Sequence, residues 1–172
     1  MTPPLPPVVL FEDDAVPGLG PVVALRPAWE IRVGIFNLRE RLGLCAGVGS
    51  VTGQCRDLVR PGALLPTPTG GGPVLRINAR LCASVEDLEA SITSLAEGEA
   101  YVVDGVPVMS HGEVRSEREA PDGLAVVDRP WKYLGLNDEL LEHDAGTIQS
   151  RGGLPRKIHA VEFEGTSERQ AL

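Results

Sequence analysis

The chain has 172 residues and a mass of 18.3 kDa, with 42% hydrophobic and 23% charged residues, the composition of one globular domain long enough to bury its own core. Its formal net charge is −8 and its Lys and Arg residues are scattered, so it lacks the basic stripe that a nucleic-acid or anionic-membrane surface requires. No run approaches the roughly 18 apolar residues of a membrane span, and Met1–Pro7 has neither the basic nor the apolar region of a signal peptide, so the expected location is the cytoplasm.

Residues 1–7 form a proline-rich lead-in. Val8–Phe11 is a short apolar run rich in β-branched residues and predicts a buried strand. Glu12, Asp13 and Asp14 follow at once, and Pro17-Gly18-Leu19-Gly20-Pro21 cannot continue the strand. Carboxylates and the backbone amides around Gly18 and Gly20 are therefore delivered to one point. Arg26 and Arg32 come next, and Asn37–Leu42 begins a short amphipathic helix whose face is Ile35, Leu38 and Leu42, with Gly43 as its stop. Strand, glycine-containing loop, basic residues, helix is the order in which α/β proteins build sites for phosphorylated ligands. Neither GxGxxG nor GxxxxGK[ST] is present, so a dinucleotide fold or a P-loop is not implied.

Cys45–Gln54 is small and β-branched and does not decide between strand and loop. Asp57–Pro73 is a connection, and its Gly70-Gly71-Gly72 reads as linker because no helix follows. Val74–Leu81 alternates as a strand whose end presents Asn78 and Arg80. Ser84 caps a helix running to about Leu95, with acidic residues in its first turn. Asp104-Gly105 between two apolar runs predicts a type I′ hairpin. Ser110–Gly123 reads as a solvated excursion and Leu124–Val127 as a short strand. A last helical region starts at Asp128-Arg129-Pro130-Trp131, restarts at Asn137-Asp138 and ends at His143-Asp144. Ile158–Phe163 alternates like a strand, and Thr166–Leu172 is a tail.

The three cysteines show no CxxC spacing, which fits reduced thiols, and His111, His143 and His159 form no metal or triad pattern. No GxSxG elbow supports a serine nucleophile.

The segments LFEDD, LRPAWEIRVGIFNLRERLG, LRINARL, LAEGEAYVVDGVPV and RPWKYLGLNDELLEHD, in this order, resemble the sugar nucleotidyl transferase family, proteins like the N-terminal nucleotidyltransferase domain of N-acetylglucosamine-1-phosphate uridyltransferase. The resemblance implies a single-domain Rossmann-like α/β/α sandwich of the nucleotide-diphospho-sugar transferase type over residues 8–165. Residues 166–172 would be a tail leading to a left-handed β-helix, which in full-length relatives supports oligomers. It implies transfer of a nucleotidyl group from a nucleoside triphosphate to a sugar 1-phosphate, with Mg²⁺ bridging phosphates. On this scheme Arg26 and Arg32 are the catalytic residues, Gly18, Gly20, Arg26, Arg32, Asn78 and Arg80 bind substrate, and Asp13 and Asp14 hold the metal. The alternative for each is structural: ion pairing of the arginines with Glu30 and Glu40, turn chemistry for the aspartates, and a satisfied network for Asn78 and Arg80. Trp131 is expected to anchor the core.

Two departures from the family pattern favour a non-catalytic nucleotide-sugar-binding or structural domain as the alternative function. The family places GxGTR after its first strand, where this chain has Asp13–Pro21; it holds Mg²⁺ with a Gly-Asp pair at the end of a central strand, where this chain has Asn78-Ala79-Arg80. A guanidinium cannot ligate a cation.

Overall fold

The computed structural model describes residues 6–56 and 72–152. The lead-in before residue 6, most of the 57–73 connection with Gly70 and Gly71 of its glycine triplet, the Ile158–Phe163 strand and the tail lie outside the described residues.

A six-stranded sheet of order β2-β1-β3-β6-β5-β7 forms the centre of a Rossmann-like α/β fold. The strands are β1 (Val8–Phe11), β2 (Val51–Gln54), β3 (Leu75–Asn78), β5 (Glu99–Val103), β6 (Val106–His111) and β7 (Ser116–Glu119). β1 lies between β2 and β3 and is parallel to both, while β6 is antiparallel to its two neighbours. A strand with parallel neighbours on both sides is covered on both faces. Val8, Val9 and Leu10 are accordingly all buried, which is why β1 reads as an unbroken apolar run. Two further short strands, β4 (Leu81–Cys82) and β8 (Ala125–Val126), pair antiparallel with each other.

Local sequence chemistry sets most of the boundaries. Asn37 caps α1 (Leu38–Leu44), accepting from the Glu40 amide while the Glu40 carboxylate accepts from the Asn37 amide. The helix therefore starts at Leu38, and Ile35, which apolar spacing put on its face, precedes it. Ser84 caps α2 (Val85–Ser94) as expected. Asp104 and Gly105 have φ of 51° and 75°, the left-handed pair a type I′ turn needs. The strand predicted to run to Leu81 turns at Ala79-Arg80 and resumes as β4. β7, inside the expected excursion, pairs parallel with β5; its four residues are all exposed, so no alternation marks it, and its charges suit a sheet edge.

The last helix, α3 (Pro130–Ser150), is one element of 21 residues and does not restart at Asn137 or stop at Asp144. Both side chains are drawn to the turn at 33–36. Asn137 accepts from the Gly34 amide at 2.9 Å, and Asp144 accepts from the Ile35 and Phe36 amides at 2.8 and 3.2 Å. Arg41 of α1 closes the cluster, donating Nε and Nη2 to Asp144 at 3.1 and 2.6 Å and a further bond to the Val33 carbonyl. The two side chains are 2% and 0% exposed. Gly34 is obligatory here: its φ is 75°, and an added Cβ would stand 2.6 Å from the Asp144 carboxylate. Trp131, expected in the core, is 67% exposed, and Tyr133 occupies the buried side of the same turn.

A buried ion pair that loses one partner leaves an uncompensated charge, at a cost of about 3–5 kcal/mol. Arg41→Met is expected to lower the unfolding free energy by about that amount in urea titrations. Gly43→Ala, where an added Cβ meets nothing within 4 Å, is expected to raise it by about 0.5–1 kcal/mol through helix propensity.

Candidate functional site

The chain leaves β1 to form β2 on one side and returns to form β3 on the other. The carboxyl ends of β1 and β3 thus flank a topological switch point, the place where open α/β sheets bind ligands. Glu12 and Asp13 leave β1 there, Arg56 lies just past β2, and Asn78 and Arg80 stand at the end of β3.

Asp13 and Arg80 form a two-pronged pair, Arg80 Nε to Oδ1 at 2.8 Å and Nη2 to Oδ2 at 2.5 Å. Asn78 donates to the same Oδ2 at 2.8 Å and to the Pro107 carbonyl at 3.2 Å, while its own Oδ1 accepts from the Arg80 amide. Arg80 Nη1 donates to the Val127 carbonyl at 3.0 Å. Burial pushes the Asp13 carboxyl up, but the bonds from Arg80 and Asn78 and the Arg80 charge outweigh it and hold the group below its ordinary value. This is the satisfied network that the sequence offered as the alternative role for Asn78 and Arg80.

Beside it, Glu12 Oε1 accepts from the Ala28 amide and from Arg56 Nη1, each at 2.8 Å, and Oε2 accepts from the Arg56 amide at 3.0 Å. Arg56 also donates to the carbonyls of Val23 and Arg26. The pair staples the 20–28 loop over the ends of β1 and β2. Arg26 stands on that loop, exposed, and its guanidinium has no hydrogen bond or ion pair among the described residues. Leu25 next to it is 93% exposed.

The other expected residues are used differently. Arg32 pairs with Glu40 at 2.8 Å and donates to the Ile35 carbonyl, the surface ion pair of the alternative reading. Gly18 and Gly20 fall in a 3-10 turn, and their amides donate to Ala15 and Pro17 at 3.0 and 3.1 Å, so in this conformation neither is presented to a ligand. Buried Val16 and Leu19 anchor that turn. Asp14 is exposed beside Asp13.

The sequence reading missed Arg56, which follows β2 without any pattern of its own, and Tyr133. The Tyr133 hydroxyl is buried without a hydrogen-bond partner among the described residues. Burial and then the Cys82 charge raise its pKa, and the Arg80 charge opposes them. Cys45 and Cys82 are buried thiols pushed up to about 12, chiefly by desolvation, which suits packing and not nucleophilic chemistry.

The donor set does not fit a divalent cation held by Asp13 and Asp14. Both Asp13 oxygens already accept from Arg80, and the two also take the Asn78 amide and the Ala15 N–H. No group of three or more His, Cys, Asp or Glu among the described residues is placed to hold a metal. No helix among them is long and apolar enough to cross a membrane.

A family model described as "Sugar nucleotidyl transferase" matches residues 8–152. That span takes in every residue of the cluster. No curated protein and no solved structure matches the chain.

Two outcomes follow from the Asp13–Arg80 pair. Because the folded Asp13 pKa is lowered, its stabilisation is present above the ordinary carboxylate range and is lost as pH falls through the lowered value. Asp13→Asn is therefore expected to flatten the acid limb of a plot of stability against pH. In titrations followed by water-proton relaxation, the wild-type chain is expected to bind no Mn²⁺ at micromolar concentrations; Mn²⁺ binding that disappears in Asp13→Asn would contradict this account of the donor set.

Proposed function

The chain belongs to the sugar nucleotidyl transferase family, and on that premise we propose that it transfers a nucleotidyl group from a nucleoside triphosphate to a sugar 1-phosphate in the cytoplasm. The observation that carries the reading is the charged cluster at the switch point between β1 and β3, inside the matched span. A phosphate oxygen of the sugar 1-phosphate attacks the α-phosphorus, the bond to the β-phosphate breaks, and pyrophosphate leaves with the electron pair. The nucleophile belongs to the substrate, so the protein needs no covalent residue. Its task is to hold two polyanions close together and to stabilise the charge on the leaving group.

Arg26 is the residue assigned to the triphosphate. It is a cation on a loop stapled to the carboxyl edge by Glu12 and Arg56, and its fork is uncommitted among the described residues. Arg80, held by Asp13 in a charge-balanced pair, fixes the floor of the site. Arg32 is tied to Glu40 and reaches a sugar phosphate only by exchanging that exposed pair, which is worth little in water. No step is assigned to a protein-held metal.

A second reading, a domain that binds a nucleotide-sugar without turning it over, draws on the same Asp13–Arg80 pair, which spends the carboxylate that metal-assisted transfer would use.

Pyrophosphate release in the presence of each nucleoside triphosphate and a set of sugar 1-phosphates separates the two. Transfer predicts release that requires both substrates and falls about 10²-fold in Arg26→Ala at unchanged melting temperature. Binding of a nucleotide-sugar with no release in either protein would establish the second reading.

A further inference from the structure

Helix α3 carries two stripes. Tyr133, Leu140, Asp144 and Thr147 face the protein and are buried. On the other side Trp131, Leu134 and Leu141 are 67%, 76% and 43% exposed, where a surface helix ordinarily turns polar groups to water. Exposed Asp138 and Glu142 share that side. Trp131, Leu134, Asp138 and Glu142 follow one another at steps of three, four and four residues, which sets them in one row along the helix. A contiguous apolar surface bordered by charge marks a contact surface.

The charge of the row narrows what can cover it. A second copy of the same face would set acidic groups against acidic groups, so the occupant has to be basic at one end and apolar at the other. The chain holds such a segment. After Ser150, Gly152 has a φ of 74°, the left-handed residue that ends a helix and turns the chain away from its axis. Arg151, Arg156 and Lys157 then place three of the sixteen Lys and Arg residues within seven positions, with no Asp or Glu among them. Lys157, His159, Val161 and Phe163 follow at every second position, two cationic or titratable groups and then two apolar ones.

The two rows match in length and in order. From Ser150 back to Trp131 the helix measures about 28 Å at 1.5 Å per residue. From Leu154 to Phe163 an extended chain spans about 30 Å at 3.3 Å per residue. Counted from the Gly152-Gly153 turn, Lys157 falls level with Glu142, His159 with Asp138, Val161 with Leu134 and Phe163 with Trp131, each within about 3 Å along the axis. Cations meet carboxylates and apolar groups meet apolar groups at all four positions.

We propose that the outer face of α3 is the docking surface for residues 157–163 of the same chain, laid back along the helix with Lys157 at Glu142 and Phe163 on Trp131. The inference is independent of the nucleotidyl-transfer reading and stands or falls apart from it.

Tryptophan fluorescence of the full chain tests it, because Trp29 is 1% exposed and shielded in any folded form, so that acrylamide quenching reads Trp131. In the wild type Trp131 is expected to be protected, to the same degree at every protein concentration. Val161→Asp with Phe163→Asp is expected to raise the quenching constant several-fold and shift the emission to the red. Lys157→Glu is expected to loosen the contact in part, and Glu142→Lys in the same chain to restore it, which only this register predicts. A wild-type Trp131 as open to quencher as in the double variant would overturn the proposal. Protection that survives the double variant, or that is lost on dilution and so comes from a second copy, would overturn it as well.

Discussion

One buried carboxylate, Asp144, is the constraint on which the arrangement of the chain depends. It accepts from the Ile35 and Phe36 amides and from two nitrogens of Arg41, and so joins α3, α1 and the turn that separates the first loop from the first helix. Charges with so little exposure are costly to desolvate, and the cost is met only because every donor is in place. The turn must let the carboxylate approach its backbone, which Gly34 allows. Helix α3 is thereby fixed against α1 and that turn, and Tyr133 near its start is buried.

The edge itself is organised by two more ion pairs with different consequences. Glu12 and Arg56 fasten a loop and leave Arg26 available on its surface. Asp13 and Arg80 fasten β1 to β3 and extend to Val127, so that the switch point is filled by protein cation and protein anion together. Paired with Asp13, the Arg80 guanidinium holds a fixed geometry there and adds little net charge. The site accordingly divides into a fixed floor of paired charges and an exposed Arg26 above it.

The parts of this that were legible in sequence are those with local causes. Val8–Phe11 announced the central strand through its apolar run, Ser84 announced α2 through its cap, and Asp104-Gly105 announced the hairpin through its backbone preference. Asp13 at one strand end and Asn78 and Arg80 at another were readable separately, but that they bond to one another was not. What could not be read depends on distant partners. Asn137 and Asp144 look like helix punctuation, and their actual partners lie more than 100 residues earlier. Gly18 and Gly20 suggested an anion loop because glycine permits it, but buried Val16 and Leu19 draw that segment into a turn that consumes its own amides. β7 has no apolar face to report, and Tyr133 sits two residues beyond the exposed Trp131, which attracts notice as the larger ring.

The account stands on the claim that nucleotide is bound at the carboxyl edge of β1, β2 and β3. Backbone amide shifts of the ¹⁵N-labelled chain, followed by NMR as each nucleoside triphosphate is added, test it most directly. The account predicts shifts gathered at Glu12–Asp14, Leu25–Ala28, Cys55–Arg56 and Asn78–Arg80, selective for one base and saturating with ligand. Shifts confined to the β7 edge or the carboxyl-terminal half of α3, or no shifts with any nucleotide, would contradict it.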